Sequence, residues 1–327
     1  MVDLGDVEEG MILARSIYTP DGNPLLKKGV VLGVRQIESL RRFLISYVIV
    51  FESEDEKKIY EGAPEAVRNP FIHDVRKIYL GLRRLLYSLK GSFLQGVEWG
   101  NADLLLKRLS KLPPDKKARV DFFIDLGGRL VSSILREIFR GERKLMSLGS
   151  FSYEDGGMLW EHWLNTCVLS MFTALAMGYK VKRIWEIGVG ALFHDLGKLF
   201  LDPDAFFLNS FLGMEETDIT VSIHTLLGYG ILRSVRTLPL TIAHVAYQHH
   251  ERFSGGGYPR NLERGKITNY ARVVSVSNYF DALLSGRLGV ISSIEEAVSR
   301  IHSLSGSVFD PRVVDYFLNS VVKKRML

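Results

Sequence analysis

The chain carries eight histidines, His73, His162, His194, His224, His244, His249, His250 and His302, and their neighbours decide which of them can do chemistry. His194 is followed by Asp195 in Gly190-Ala191-Leu192-Phe193-His194-Asp195-Leu196-Gly197-Lys198, an apolar stretch that reads as a helix ending at the glycine. An imidazole, a carboxylate and an ammonium thus fall within five residues, a grouping that is expensive to bury unless the charges are paired. A divalent metal would pair them, since imidazole and carboxylate suit Mn, Fe or Zn and a carboxylate can bridge two ions. His-Asp alone also reads as a solvated loop with a capping aspartate. The surroundings add weight to the metal: His162 lies 32 residues earlier, His224 30 residues later, and His249-His250 a further 25 residues on. Each sits in its own helical segment. Five imidazoles and one carboxylate from four helices can form a two-metal site in a bundle core.

The elements that must position them follow from periodicity. Met11 to Tyr18 and Leu25 to Leu32 read as two strands of a hairpin around Asp21-Gly22-Asn23-Pro24. Val34 to Leu44 has Ile37, Leu40 and Leu44 at helical spacing, and Ile45 to Phe51 reads as a strand. The charge run Glu52 to Lys58 reads as a solvated linker. From about Ala63 the pattern is helical, with a long amphipathic segment from His73 to Gly91 suited to connecting domains or pairing with a second copy. Pro113-Pro114 breaks the next segment, and Asp115 to Arg140 begins another helix. The expected fold class is mainly α: a C-terminal all-α bundle over 116–327, preceded by a small α/β module over 1–62 and a helical linker over 63–115.

Composition excludes several classes. In 327 residues, 46% are hydrophobic and 24% charged, values that rule out disordered, collagenous and coiled-coil chains. A net charge of +5 is far from the dense basic stripe of a DNA binder and better suited to a small anionic ligand. The single cysteine, Cys167, cannot form an intrachain disulfide, and Met1 to Gly10 carries four acidic residues where a signal peptide would be basic and apolar. A cytoplasmic protein is expected. The longest uncharged run, Trp163 to Tyr179, includes Asn165, Thr166, Ser170 and Thr173, so it reads as a buried core helix in place of a membrane span.

These motifs, taken in order, resemble the HD-GYP family, metal-dependent phosphodiesterases of the HD superfamily that cleave cyclic di-GMP. The resemblance runs from about Lys116 onward through His194-Asp195-Leu196-Gly197-Lys198, His224 with Gly228, His249-His250-Glu251 and Gly257-Tyr258-Pro259. It continues through Ala271-Arg272-Val273, Phe280-Asp281-Ala282-Leu283 and Phe309-Asp310-Pro311. It implies an HD-type helical bundle holding two divalent ions, Fe or Mn. One would be held by His162, His194, Asp195 and position 278, the other by Asp195, His224, His249 and His250, with Asp195 bridging. A hydroxide shared by the ions would attack phosphorus, giving linear pGpG or GMP in bacterial second-messenger signalling. Lys198 is similar to the family lysine at the scissile phosphate; its local alternative is a charge at a helix C-terminus. Gly257 and Tyr258 would line the substrate, Tyr258 by stacking on guanine or through its hydroxyl, and Arg287 resembles a phosphate-binding arginine. The same loop is implicated in contacts with diguanylate cyclase (GGDEF) domains, and a homodimer is a further expectation.

Several positions depart from the family pattern. Asn278 stands where a metal-binding aspartate is usual, so the first ion loses one unit of ligand charge and should bind more weakly. Asp281 is read as structural, as are His244 and His302. Leu288-Gly289-Val290 replaces a segment with a phosphate-contacting cation, Ser254 replaces an aspartate, and Met158 replaces a glutamate seen where three metals bind. The alternative to an active enzyme is a weakened domain serving as a cyclic di-GMP receptor or protein-interaction module.

Overall fold

The computed structural model describes residues 2–13, 17–18, 24–27, 29–43, 47–48, 50, 71–94, 102–140, 159–200, 219–285 and 292–319. These fall into two compact units, one within residues 1–68 and one within 69–150 and 159–327. The charge run from Glu52 to Lys58 lies outside the described residues.

In the first unit, β1 (Val2–Asp3) pairs antiparallel with β4 (Tyr47–Val48), and β2 (Ile17–Tyr18) pairs antiparallel with β3 (Pro24–Leu26). Isolated bridges join Ile12 to Val31 and Leu13 to Val50. Among the described residues the expected hairpin is thus seen in the pairings of Ile12 with Val31, Ile17 with Leu26 and Tyr18 with Pro24. Helix α1 (Val34–Arg42) buries Ile37 and Leu40, three residues apart on one face, against Leu4, Leu13, Leu32 and Val48. Its opposite face keeps Arg35, Glu38, Arg41 and Arg42 outward, the division that makes a short helix amphipathic.

The second unit is all α among its described residues. In chain order its helices are α2 (Ile72–Leu94), α3 (Ala102–Leu109), α4 (Pro114–Arg140), α5 (Leu159–Ala176) and α6 (Val181–Leu192). They continue with α7 (Ile219–Ser234), α8 (Leu240–Gln248), α9 (Asn269–Leu284), α10 (Ile294–Ser303) and α11 (Pro311–Phe317). Helix α5 is the axis of the bundle: α2, α6, α9 and α11 all pack on it. Trp163, Leu164, Cys167, Met171 and Ala174 are buried around much of its circumference, which is why no charge interrupts Trp163 to Tyr179. No helix among the described residues is long and apolar enough to cross a membrane.

Segment 63–115, expected as a linker, contains α2 and α3. The apolar residues of α2 at Val75, Ile78, Leu82, Leu85 and Leu86 are buried, and the helix packs on α4 and α5 within this unit. Burying five such side chains removes their apolar surface from water, at about 1.5 to 3 kcal/mol each as an upper range. Helix α11 starts at an aspartate whose carboxylate accepts from the Arg312 amide at 2.9 Å, with proline at the first helical position. The same Asp310 pairs with Arg272 of α9, so the Ala-Arg-Val and Phe-Asp-Pro motifs tie two helices together.

Candidate metal centre

His162 lies in the first turn of α5, His224 in the middle of α7, and His249 and His250 just beyond the last residue of α8. Helix α6 stops at Leu192, not at Gly197 as the sequence suggests, so His194 and Asp195 occupy a turn. Lys198 follows in a short 3-10 helix, Leu196–Phe200. Gly197 is what lets this turn press on α7: a β-carbon there would meet the His224 carbonyl oxygen at 1.9 Å and the Gly228 nitrogen at 2.8 Å. A side chain at 197 would push the His194-Asp195 turn away from His224.

Asp195 is fully buried at the centre. Its Oδ2 lies 3.6 Å from His162 Nε2 and 3.4 Å from His194 Nε2; its Oδ1 lies 3.4 Å from His224 Nε2 and 3.5 Å from His249 Nε2. Lys198 Nζ is 2.6 Å from Oδ2. Two groups of donors with ligand atoms within 4.8 Å of one another share the aspartate: His162, His194, Asp195, and Asp195, His224, His249, His250. Ligands each about 2.1 Å from a common ion and about 110° apart would stand roughly 3.4 Å from each other, the separation found here.

The proton positions make the same point. His194 Nδ1 donates to the Ala191 carbonyl at 2.7 Å, and His249 Nδ1 to the Ala246 carbonyl at 3.0 Å. His162 Nδ1 stands 2.5 Å from Asp281 Oδ2. Each neutral ring has then spent its hydrogen, and its Nε2 lone pair faces the Asp195 carboxylate. Lone pairs facing a carboxylate at 3.4 to 3.6 Å repel it unless a cation lies among them. His194 Nε2 and Asp195 Oδ1 are accordingly buried without a hydrogen-bond partner. The residues present therefore fit divalent cations, in the ligand types and in the orienting hydrogen bonds behind them.

Charge states agree with this donor set. Burial opposes ionisation of Asp195, but His194 and Lys198 beside it hold its carboxyl well below the usual carboxylate range. Burial, with the positive charge of Lys198, pushes His224 well below the ordinary histidine value. Burial, with His250 alongside, pushes His249 down to about 3. An anionic Asp195 carboxylate beside the neutral imidazoles of His224 and His249 is the protonation pattern metal ligands require.

The loop after α8 is fastened to the centre. Glu251 accepts from the Arg260 and Leu262 amides, both at 2.8 Å, and Gln248 accepts from the Thr268 amide at 2.9 Å. Gly257 sits where a β-carbon would lie 2.3 Å from the Arg252 nitrogen and 2.6 Å from the Glu251 Cα, so only glycine fits there without moving backbone. The Tyr258 ring stacks on His250, with centroids 4.7 Å apart and planes at 18°. One face of this ring, considered as a platform for guanine, is thus turned to the His250 imidazole.

The structure brings together His162, His194, Asp195, Lys198, His224, His249 and His250 from the sequence reading. Asn278 is half-buried on α9, one turn before Asp281. Arg287, Leu288-Gly289-Val290 and Met158 lie outside the described residues. Ser254 is exposed, its hydroxyl donating to the Ser307 carbonyl at 2.9 Å. His244 packs against Tyr229, with centroids 5.3 Å apart, away from both donor groups. Three residues that the sequence did not mark for the site are now seen to support it: Asp281, Asn165 and Glu251. Asp281 meets His162 across 119 positions, so spacing could not pair them; the resemblance of Phe280-Asp281-Ala282-Leu283 to a family motif is the signal the sequence offers.

Comparison with known proteins places these observations in a family context. A family model described as an HD domain matches residues 163–313. A Thermotoga maritima protein described as a cyclic di-GMP phosphodiesterase is 38% identical over 153 residues, covering 46% of this chain and 41% of that protein. The Xanthomonas campestris pv. campestris response regulator RpfG, described as a cyclic di-GMP phosphodiesterase, is 31% identical over 205 residues, covering 60% of this chain and 52% of that protein. The chain thus spans about half or less of the length of these curated relatives. Among solved structures, the Bdellovibrio bacteriovorus protein Bd1817, described as a HDG"Y"P protein, matches with a TM-score of 0.53 at 15% identity, covering 97% of each chain. At that identity the likeness is one of fold.

Proposed function

We propose, from the premise that residues 163–313 are an HD domain of the HD-GYP kind, that the chain is a metal-dependent phosphodiesterase acting on cyclic di-GMP. The observation that carries this reading is the Asp195 carboxylate, buried between two groups of imidazole donors whose lone pairs face it. The substrate is taken from the names of the relatives, and Fe or Mn from the family resemblance, since the imidazole and carboxylate donors by themselves also suit Zn.

Two divalent ions, when bound, would supply Lewis-acid stabilisation of phosphoryl oxygens and a nucleophile derived from water near neutral pH. His162 and His194 would hold one side and His224, His249 and His250 the other, with Asp195 common to both. Asn278 could offer a carbonyl oxygen to the His162 side. Lys198 carries its ammonium beside the shared carboxylate. Its flexible stem would let that charge turn to a non-bridging phosphate oxygen and offset the negative charge that develops as the ester oxygen departs. The loop fastened by Glu251 and Gly257 would close over the sugar and base, with Tyr258 meeting guanine through the part of its ring not turned to His250.

The test is anaerobic incubation of the full chain with cyclic di-GMP and Fe(II) or Mn(II), with products separated by chromatography. Linear pGpG or GMP is expected. Intact substrate, in a sample shown to hold metal and bind the nucleotide, would make the domain a receptor.

A further inference from the structure

We infer that Asp281, braced by Asn165, is the positioning residue for the His162 side of the centre. It holds His162 in the tautomer that turns Nε2 toward Asp195, and it places a full negative charge directly behind that ring. The inference deepens the proposed function and rests on the two-sided metal centre.

Three observations carry it. First, the orienting groups differ in charge. His194 and His249 give their Nδ1 hydrogens to neutral backbone carbonyls, whereas His162 gives its own to a carboxylate at 2.5 Å. A carboxylate behind a ligand imidazole fixes its ring and makes its far nitrogen a stronger donor. Second, Asp281 is buried, and among the described residues its ion-pair partner is His162, with no lysine or arginine alongside. A buried carboxylate that merely stabilised the fold would be expected to have a cation or a full set of backbone amides. Asp281 instead has the His162 ring on Oδ2 and the Asn165 amide on Oδ1 at 2.8 Å, a geometry that aims one oxygen at the ligand. Third, the charge arrives where the donor count is lower. Among the described residues, the His162 side offers His162, His194 and the shared Asp195, against three imidazoles and the same aspartate on the other side. Asn278, one turn before Asp281 on α9, contributes no charge.

The experiment titrates the full-length wild type, Asp281→Asn and Asn165→Ala with Mn(II) without oxygen. It counts ions per chain by equilibrium dialysis with elemental analysis and records the thermal unfolding midpoint of each metal-free protein. Asparagine keeps the shape of aspartate and removes its charge. The expected result is two ions in the wild type; in Asp281→Asn, one ion at wild-type affinity and the other weakened by about 10- to 100-fold, the range for loss of an outer orienting group. Asn165→Ala, which leaves the carboxylate but frees it to turn, should weaken the same ion by a smaller factor, and it carries the test if Asp281→Asn does not fold.

Two ions at unchanged affinity in both variants would overturn the inference and leave the metal centre standing. Equal weakening of both ions, together with a lowered unfolding midpoint, would also overturn it by showing a structural role. A wild type that binds no ion would overturn the centre itself and the inference with it.

Discussion

Among the described residues, His224, His249 and His250 converge on one side of Asp195 from α7 and the end of α8, and His162 and His194 on the other. The first side is assembled from segments close in sequence, and its His249 is oriented by the carbonyls of its own helix. The second side reaches across the bundle, from the start of α5 to a carboxylate on α9 that is 119 residues away. A site of the first kind is fixed by local turns, and its geometry survives changes elsewhere. A site of the second kind depends on α5 and α9 staying packed, and the proposed contribution of Asn278, one turn before Asp281 on α9, carries no charge. Ion affinity is expected to differ between the sides accordingly, with the His162 side weaker.

The largest expected effect comes from the one residue both sides share. Asp195→Ala should strip both ions, as read by elemental analysis, and lower hydrolysis by at least about a thousandfold, since metal ions supply several kcal/mol of transition-state stabilisation. Loss of a single ion would show that the two sides do not share the carboxylate. Lys198→Ala comes next. It removes a cation 2.6 Å from Asp195, so metal should bind at least as tightly while turnover falls by about 10²- to 10³-fold, typical of losing one group that meets developing charge. An unchanged rate would reduce Lys198 to a counter-charge for the aspartate.

Asn278→Asp sharpens the comparison from the other direction. Added charge on the α9 face should tighten the weaker ion by about tenfold and leave the tighter one as it was, measured by titration with Mn(II). Equal tightening of both would displace Asn278 from the His162 side.

The smallest effect concerns pH and the metal-free protein. The His249 imidazole is held down to about 3 in the folded chain against an ordinary 6.5. Between these values the unfolded chain binds the proton and the folded chain does not. Stability is therefore complete above about pH 6.5 and is lost as pH falls toward 3, by up to about 1.4 kcal/mol per pH unit for that ring. Thermal unfolding midpoints of metal-free protein at about pH 7.5 and 5.0 check this; equal midpoints would contradict a buried neutral His249.

How much of this was legible in the sequence follows the same division. His194-Asp195 and His249-His250 are adjacent in the chain and Trp163 to Tyr179 is a long uncharged run, so the mainly α fold and a cluster of candidate metal-binding residues are legible in the sequence, while the division of those residues between two ions comes from the family resemblance. The pairing of β1 with β4 could not, because each strand is two residues long and the partners are more than forty residues apart. The end of α6 was misplaced by five residues because an apolar run continues through Phe193, and only contact of Gly197 with α7 shows why the helix must stop. Asp281 reads as structural from its match to the Phe-Asp-Ala-Leu position, and its contact with His162, 119 residues away, cannot be read from its own segment. Tyr258 reads in the sequence as a face for guanine or a hydroxyl for a phosphate, and its stacking on His250, which comes from the return of the loop, cannot be read from its neighbours in the chain.

The central claim is that Asp195 joins two ions held by unequal sides. Electron paramagnetic resonance of the full chain loaded with Mn(II) to saturation tests it most directly. The expected spectrum is that of an exchange-coupled pair sharing a carboxylate. A spectrum of isolated Mn(II), at one ion per chain or at two, would contradict the claim.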